Sequence, residues 1–142
     1  MGQLKSARLQ TLKKLAAWSE RDASRALNEV QARLQMEQAQ LEGLKLYYQD
    51  YLVTIDQQKA LTSQELISYR QFCIQLAQTI KQGEQRIIVI SDELDAKKNH
   101  WLLRRNKRRA LEDLIENCVR AENQLIEQKL QREIEDLWQS WH

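Results

Sequence analysis

The sequence contains no proline, and its 142 residues include only three glycines, Gly2, Gly43 and Gly83. Because proline removes a backbone donor and its ring clashes with the preceding helical turn, its absence removes the commonest cause of a helix break. Leucine and glutamine, which occur 21 and 19 times, are good helix formers. The composition therefore predicts an all-α protein made of a few long helices.

Aromatic residues are also scarce, at 6% of the chain, whereas charged residues make up 30%. This composition supplies too little apolar bulk for a deep spherical core. The 42% of apolar residues is nevertheless too high for a disordered chain. A helical hairpin with a narrow buried stripe meets both conditions. The length suits one domain, so we expect residues 1–142 to form a single elongated coiled-coil domain.

Residues typical of active sites and metal sites are few. Cys73 and Cys118 form neither a disulfide framework nor a metal-binding spacing, and His100 and His142 have no ligand partner at helical spacing. The sequence has no glycine-rich phosphate loop and no nucleophile elbow. We therefore predict a non-enzyme with no catalytic residue, no cofactor, no metal and no small-molecule substrate.

Long apolar segments are absent as well. The longest apolar run, Ile87–Ile90, has four residues, whereas a membrane-spanning helix needs roughly 20. The first residues show no apolar run of the kind found in secretory signals. These features indicate a cytoplasmic protein that meets a membrane only through its partners.

A seven-residue apolar repeat is the main positive feature of the first half. With position a at Leu9 and every seventh residue after it, position d falls on Lys13 and every seventh residue after that. Nine of the ten a and d positions between Ala23 and Ile55 are apolar or aromatic, and Glu37 is the exception. Such a repeat is typical of a left-handed coiled coil.

The repeat weakens before Thr62, which is followed three residues later by Glu65. This spacing is that of a capping box at a helix start, so we place a turn at about residues 58–62. Helices over 4–58 and 63–141 would be ~80 Å and about 115 Å long at 1.5 Å per residue. The predicted fold is a long antiparallel two-helix coiled coil with a C-terminal overhang.

Two alternatives for the middle of the chain stay open at this point. A short additional helix or a bend lies between residues 60 and 83, or the chain folds over near Gly83 so that the first helix pairs with residues 100–141.

In the second half, a second set of apolar residues recurs at spacings of three, four or seven. Its members are Leu66, Tyr69, Cys73, Leu76, Ile80, Ile87, Ile90, Leu94, Trp101, Leu111, Ile115 and Cys118.

Positive charge is concentrated in the segment from Lys97 to Arg109, which contains seven bases and no acid. From Leu111 to His142 there are eight acids and three bases. A solvated helix face, a docking surface for an acidic protein and a nucleic-acid site are the three interpretations, and nucleic acid is the least favoured because no recognition motif accompanies the charge. The candidate basic docking patch is Arg104, Arg105, Lys107, Arg108 and Arg109.

Apolar side chains outside the repeat form two further candidate surfaces. One face carries Phe72, Leu76, Thr79 and Gly83, at positions i, i+4, i+7 and i+11. Leu137, Trp138 and Trp141 lie near the C-terminus, following Ile126, Leu130 and Ile134 in a shifted phase. Each set either packs inside the hairpin or binds a partner.

In order along the chain, three blocks resemble the FliJ family of flagellar type III export proteins. The first runs from Leu9 to Ala23. The second comprises Leu66 and Tyr69 to Phe72. The third begins at Trp101 and includes the acidic segments Leu111–Glu116 and Glu127–Asp136.

This resemblance implies a cytoplasmic coiled-coil stalk, associated peripherally with the inner membrane, that does no chemistry itself. Its implied partners are a hexameric export ATPase, whose assembly and activity it promotes, the membrane protein of the export gate, and export chaperones, which it escorts. The end bearing both termini would face the ATPase, through Leu9, Leu12, Leu15, Ala16, Leu137, Trp138 and Trp141.

The gate-facing stripe implied by the resemblance is Phe72, Leu76, Thr79 and Gly83. Thr79 and Gly83 depart from the family pattern, which has a small apolar residue and a histidine there. A stalk of a virulence secretion system is the nearest alternative function. A nucleic-acid-binding coiled coil that uses Lys97–Arg109 is the alternative from a different class.

Overall fold

Two α-helices account for most of the residues that the computed structural model describes, which are 5–57 and 61–141. Helix α1 is Lys5–Gln57 and helix α2 is Ser63–Trp141. The described residues contain no strand and no third helix. The predicted all-α fold of two long helices is confirmed, and the alternative with an additional short helix is wrong for the described part of the chain.

The start of α2 is capped as the sequence predicts. The hydroxyl oxygen of Thr62 accepts a hydrogen bond from the backbone N–H of Glu65 at 3.2 Å, and its carbonyl oxygen accepts one from Leu66 at 3.0 Å. These bonds satisfy donors that a helix start otherwise leaves without a partner. Of the turn predicted at 58–62, residues 58–60 lie outside the described residues.

Residue contacts divide the chain into two units, and both helices contribute to each. We call Met1–Ser24 together with His100–His142 the terminal unit, and Arg25–Asn99 the central unit. The expectation of a single elongated domain stays a prediction.

In the central unit the two helices run antiparallel. Residues that lie further along α1 pair with residues that lie earlier in α2. Arg33 pairs with Glu93, whereas Lys45 pairs with Glu84. The core of this unit is formed by buried and half-buried aliphatic side chains, namely Val30, Ile90, Leu94, Leu27 and Leu34.

The terminal unit has the same antiparallel order. Ser6 of α1 bonds to Glu122 of α2 through its hydroxyl group at 2.8 Å, and Glu20 bonds to Arg108. Its buried apolar residues are Leu9, Ala16, Ala23 and Ile115. Two of these four are alanines, whereas the buried apolar residues of the central unit are all valine, leucine or isoleucine.

Burial follows the predicted seven-residue repeat. Every a and d position of α1 from Leu9 to Ile55 is buried or half-buried, including the charged ones. The predicted set on α2 from Leu66 to Cys118 is also buried or half-buried throughout. The coiled-coil interpretation of both halves is therefore confirmed.

Gly83 does not mark a fold-over point, because α2 continues through it without a break. It is buried in the central unit, where a Cβ atom added to it would lie 3.1 Å from Leu41 Cδ1. The alternative in which the chain folds over near this residue is therefore wrong. Glycine at this position lets the two helices approach each other closely.

The C-terminal overhang is present. All residues from 123 to 141 are exposed, although they continue α2 as regular helix. Glu122, which bonds to Ser6, lies opposite the first turn of the described part of α1. We refer to residues 123–141 as the overhang.

Candidate functional site

Four aromatic rings meet across the two helices of the central unit. The ring centroid of Tyr51 lies 4.7 Å from that of Phe72 and 5.5 Å from that of Tyr69, and Tyr47 contacts Phe72 edge-on at 6.4 Å. Burial raises the pKa of Tyr51 above its ordinary value, with smaller contributions from Tyr69, Cys73 and Tyr47. The cluster holds Phe72 in place while leaving 38% of that residue exposed.

The structure divides the predicted gate-facing stripe into two parts. Leu76 is 8% exposed and Gly83 is buried against Leu41, so both belong to the interface between the helices. Thr79 is exposed, and its hydroxyl group donates to the carbonyl oxygen of Gln75 at 2.9 Å. Accessible surface on this stripe is therefore supplied by Phe72 and Thr79.

The predicted ATPase-facing residues near the N-terminus are divided in a similar way. Leu9 and Ala16 are buried in the seam of the terminal unit, whereas Leu12 and Leu15 are 49% and 54% exposed. The two exposed leucines line a groove together with Ala16, Ser19, Leu111, Arg104 and Lys107. We call this the basic groove.

The predicted ATPase-facing residues near the C-terminus lie in the overhang. Leu137, Trp138 and Trp141 are all exposed, and they form a shallow apolar surface with Ile134. The structure therefore brings the N-terminal and C-terminal candidates into the same unit. Within it, the basic groove and the overhang are separate surfaces.

The five residues of the predicted basic patch have different environments. Arg108 lies between the helices and bonds to both Glu20 and Glu112. The hydrogen bond to Glu20, followed by that to Glu112, raises the pKa of Arg108 above its ordinary value. This arginine is therefore engaged within the chain, in an ion pair between the two helices.

The remaining four basic residues have other surroundings. The guanidinium of Arg105 lies 5.4 Å from the ring centroid of Trp101, which is a cation–π distance. Arg104 and Lys107 line the basic groove, and Arg109 is exposed. None of these four forms an ion pair with another described residue.

Sequence reasoning missed the basic partners of the two acids that occupy seam positions of α1. Glu20 occupies a d position and Glu37 an a position, where apolar residues are expected. In the structure Glu20 meets Arg108, and Glu37 meets Arg86 at 3.5 Å. The pairing of Glu20 with Arg108 could have been predicted, because an acid lies at a seam position of one helix and a base at a seam position of the other.

The described residues contain neither a cluster of metal-ligand side chains nor a membrane-spanning stretch. Among residues 5–57 and 61–141 there is no group of three or more His, Cys, Asp or Glu residues placed to hold a metal ion. In the same residues, neither helix has a stretch apolar enough to cross a bilayer. The geometry instead defines an antiparallel helical-hairpin coiled coil whose accessible features are apolar faces and charged patches.

Comparison with known proteins gives the family. Residues 5–139 match the family model described as the flagellar FliJ protein. The chain is 30% identical to the flagellar FliJ protein of Escherichia coli strain K12, over 86% of this chain and 87% of that protein. No solved structure shows a significant match. The chain therefore belongs to the FliJ family, which confirms the resemblance seen in its sequence.

Proposed function

We propose that the chain is a non-enzymatic, cytoplasmic stalk of the flagellar protein export apparatus, which binds the hexameric export ATPase through its terminal unit. Membership of the FliJ family supports a role in flagellar export. One structural observation carries the ATPase contact: apolar residues from both ends of the sequence are exposed in the same unit. Leu12 and Leu15 are about half exposed, and Trp141 is 86% exposed.

The buried members of the proposed ATPase-facing set have a supporting role. Leu9 and Ala16 pack in the seam and hold Leu12 and Leu15 in their exposed positions on α1. Leu137, Trp138 and Trp141 present apolar surface from the overhang. Large apolar side chains of this kind supply much of the binding energy at protein interfaces.

A second contact belongs to the same proposal. The membrane protein of the export gate would bind at Phe72 and Thr79, with Leu76 and Gly83 holding that part of α2 against α1. The rigid aromatic cluster around Phe72 supports this assignment, because an anchor that is already ordered loses little entropy on binding. Binding and escort of export chaperones, and peripheral association with the inner membrane at the export apparatus, complete the proposed role.

The test is whether the cognate ATPase assembles into hexamers and hydrolyses ATP faster when this protein is added. We expect stimulation by the natural chain and its loss in the double variant Leu12→Asp, Leu15→Asp. Both side chains are exposed, so the substitutions leave the helical fold in place. A matched control is Met36→Asp, Leu46→Asp, which alters two exposed apolar residues of the central unit (61% and 55%).

Two results would contradict the proposed ATPase contact. One is an unchanged hexamer population and hydrolysis rate on addition of the natural chain. The other is equal stimulation by the terminal-unit variant and the natural chain. Loss of stimulation in the central-unit control alone would move the contact to the central unit.

A further inference from the structure

The overhang carries an apolar stripe that no other described residue of the chain covers. Its members recur at spacings of three or four along α2 and are all at least 53% exposed, namely Ile126, Leu130, Ile134, Leu137 and Trp141. In proteins most helical stability comes from packing of the apolar face, and this face of the overhang is exposed. The overhang therefore needs a surface on which to pack.

Acidic residues border this stripe. In the helical projection Glu127 lies beside Ile134 on one side of the stripe, and Glu133 lies beside Ile126 and Leu137 on the other side, followed by Lys129 and Asp136. The overhang contains four acids and two bases, so its net charge is negative. None of the carboxylates of Glu127, Glu133 and Asp136 forms an ion pair with a described residue. The surface that fits the overhang is therefore apolar with positive charge at its edge.

The basic groove has those properties. Its apolar lining is provided by Leu12, Leu15 and Leu111, and its volume is about 350 Å³. Arg104 and Lys107 also line it, and neither is paired with a carboxylate among the described residues. The groove and the overhang are complementary both in apolar surface and in charge.

A chain cannot place its own overhang in its own groove. Residues 104 and 107 belong to the same unbroken helix as the overhang, which continues away from them along α2. Folding the overhang back would require α2 to break between residues 111 and 126, where it is regular helix. Every copy of the chain carries both a groove and an overhang, so the groove of a second copy is always available to bind the overhang.

We propose that two copies of the chain associate through a reciprocal contact, in which the overhang of each lies in the basic groove of the other. The stripe from residue 126 to residue 141 is about 22 Å long at 1.5 Å per residue, which is enough to cover the groove face from residue 12 to residue 19. Since each copy supplies one groove and one overhang, the contact is isologous and closes as a dimer.

The first measurement is sedimentation velocity of the full-length natural chain alone, between about 1 µM and 1 mM, a range that covers weak and moderate affinities. We expect the mass to rise from one copy to two and no further. A chain that stays monomeric over the whole range would overturn the proposal.

Charge reversal then identifies the surfaces. The groove variant Arg104→Glu, Lys107→Glu and the overhang variant Glu133→Lys, Asp136→Lys are each expected to weaken self-association by on the order of tenfold, because attraction at the contact edge becomes repulsion. Mixing the two variants is expected to restore a dimer that contains one copy of each. Failure of the mixture to associate more tightly than either variant alone would contradict the reciprocal contact.

The matched control for the groove variant is Arg105→Glu, Arg109→Glu, which makes the same change in net charge outside the groove. We expect this variant to dimerise more tightly than the groove variant. If both weaken the dimer equally, or if neither does, the groove is not the contact surface, and overhangs pairing with each other would be the remaining interpretation.

The dimer does not depend on the proposed function, because it is measured without any partner. One consequence does rest on it: the dimer covers Leu12, Leu15 and Leu137, which we propose face the ATPase, so self-association and ATPase binding are mutually exclusive. A dimer that leaves ATPase stimulation unchanged at high concentration would contradict this consequence alone. Loss of ATPase binding would leave the dimer unaffected.

Discussion

The central unit and the terminal unit are built from the same two helices, yet different side chains hold the helices together. In the central unit the interface is aliphatic, with Val30, Ile90 and Leu94 at its core. Arg33 and Glu93 pair at its edge, where their side chains are 50% and 41% exposed, and the seam residue Glu37 pairs with the exposed Arg86. Exposed pairs of this kind contribute about 0–1 kcal/mol, so burial of apolar surface provides most of the stability there.

In the terminal unit both members of an ion pair lie in the interface. The side chains of Arg108 and Glu20 are only 24% and 17% exposed, and Ala16 and Ala23 occupy seam positions where the central unit has larger residues. Apolar contacts along a coiled coil tolerate shifts in pairing, whereas a charge in the seam requires one particular partner. The comparison indicates that the central unit is held mainly by apolar volume and the terminal unit more by specific polar pairing.

Removal of apolar volume from the central unit is expected to have the largest effect. Ile90→Ala should lower the free energy of unfolding by about 2–4 kcal/mol, because it leaves a cavity at the core. The control Ile88→Ala alters a residue that is 61% exposed and should change stability by less than about 0.5 kcal/mol. Denaturant unfolding, with amide hydrogen exchange to locate the loss, checks both values, and similar losses in the two variants would contradict the aliphatic core.

The charged seam of the terminal unit is expected to show a smaller effect that depends on the partner. Arg108→Ala should cost about 1 kcal/mol, since Glu20 loses its hydrogen-bonding partner in a half-buried place. Replacing both residues, Arg108→Leu with Glu20→Leu, should recover most of that loss because no unpaired charge remains.

A double-mutant cycle measured by denaturant unfolding gives the coupling between Arg108 and Glu20, with Arg109→Ala as an exposed control. Additive effects of the two single substitutions would show that the seam charges do not act as a pair. The double variant would then be the least stable of the set.

The two described glycines test how closely the helices of the central unit approach. Gly43→Ala should stabilise the protein by about 1 kcal/mol, because alanine is the better helix former and nothing lies within 4 Å of the added atom. Gly83→Ala has the same helix-forming advantage, but its Cβ atom meets Leu41 Cδ1 at 3.1 Å, so the gain should be smaller or absent. Gly83→Val should destabilise the unit by about 1–3 kcal/mol through overpacking. Equal gains for Gly43→Ala and Gly83→Ala would contradict the close approach.

The smallest expected difference between the two units is a loss of stability of the central unit at high pH. All four tyrosines lie in the central unit, and the raised pKa of Tyr51 means that the folded state keeps this proton to higher pH than the unfolded state. Its contribution to stability is therefore complete below the ordinary pKa of 10.0 and is lost as pH rises through the raised pKa.

Hydrogen exchange at alkaline pH should show weakening of the central unit that becomes smaller in Tyr51→Phe. Tyrosinate absorbance of the natural chain should include one group that titrates above the ordinary pKa of 10.0 and is missing from that variant. An unchanged titration in the variant would contradict the assignment to Tyr51.

Much of the fold could be predicted from local pattern. The a and d positions of α1 identify its buried face, since a seven-residue apolar repeat presents one stripe along a helix whatever its partner is. Thr62 and Glu65 mark the start of α2 because capping depends on residues only three positions apart. These inferences hold because the interactions behind them are local.

The candidate surfaces were less predictable. Phe72, Leu76, Thr79 and Gly83 share a face of α2 by spacing, but spacing could not show that Gly83 faces α1 while Thr79 is exposed. Gly83 was interpreted as a bend because glycine weakens an isolated helix, whereas in the folded chain it allows close approach to Leu41. The basic groove could not be seen at all, since its lining comes from both helices.

By itself the sequence determined that the chain forms long helices, which stripe of each helix is apolar, and where charge is concentrated. These properties follow from residue types at short spacings along the chain. Tertiary structure alone decided which residue of α1 lies opposite which residue of α2, and so which charges are paired, which leucines are covered and where the overhang begins. Pairing depends on contacts between residues far apart in sequence, and a repeating apolar pattern is compatible with more than one alignment of such contacts.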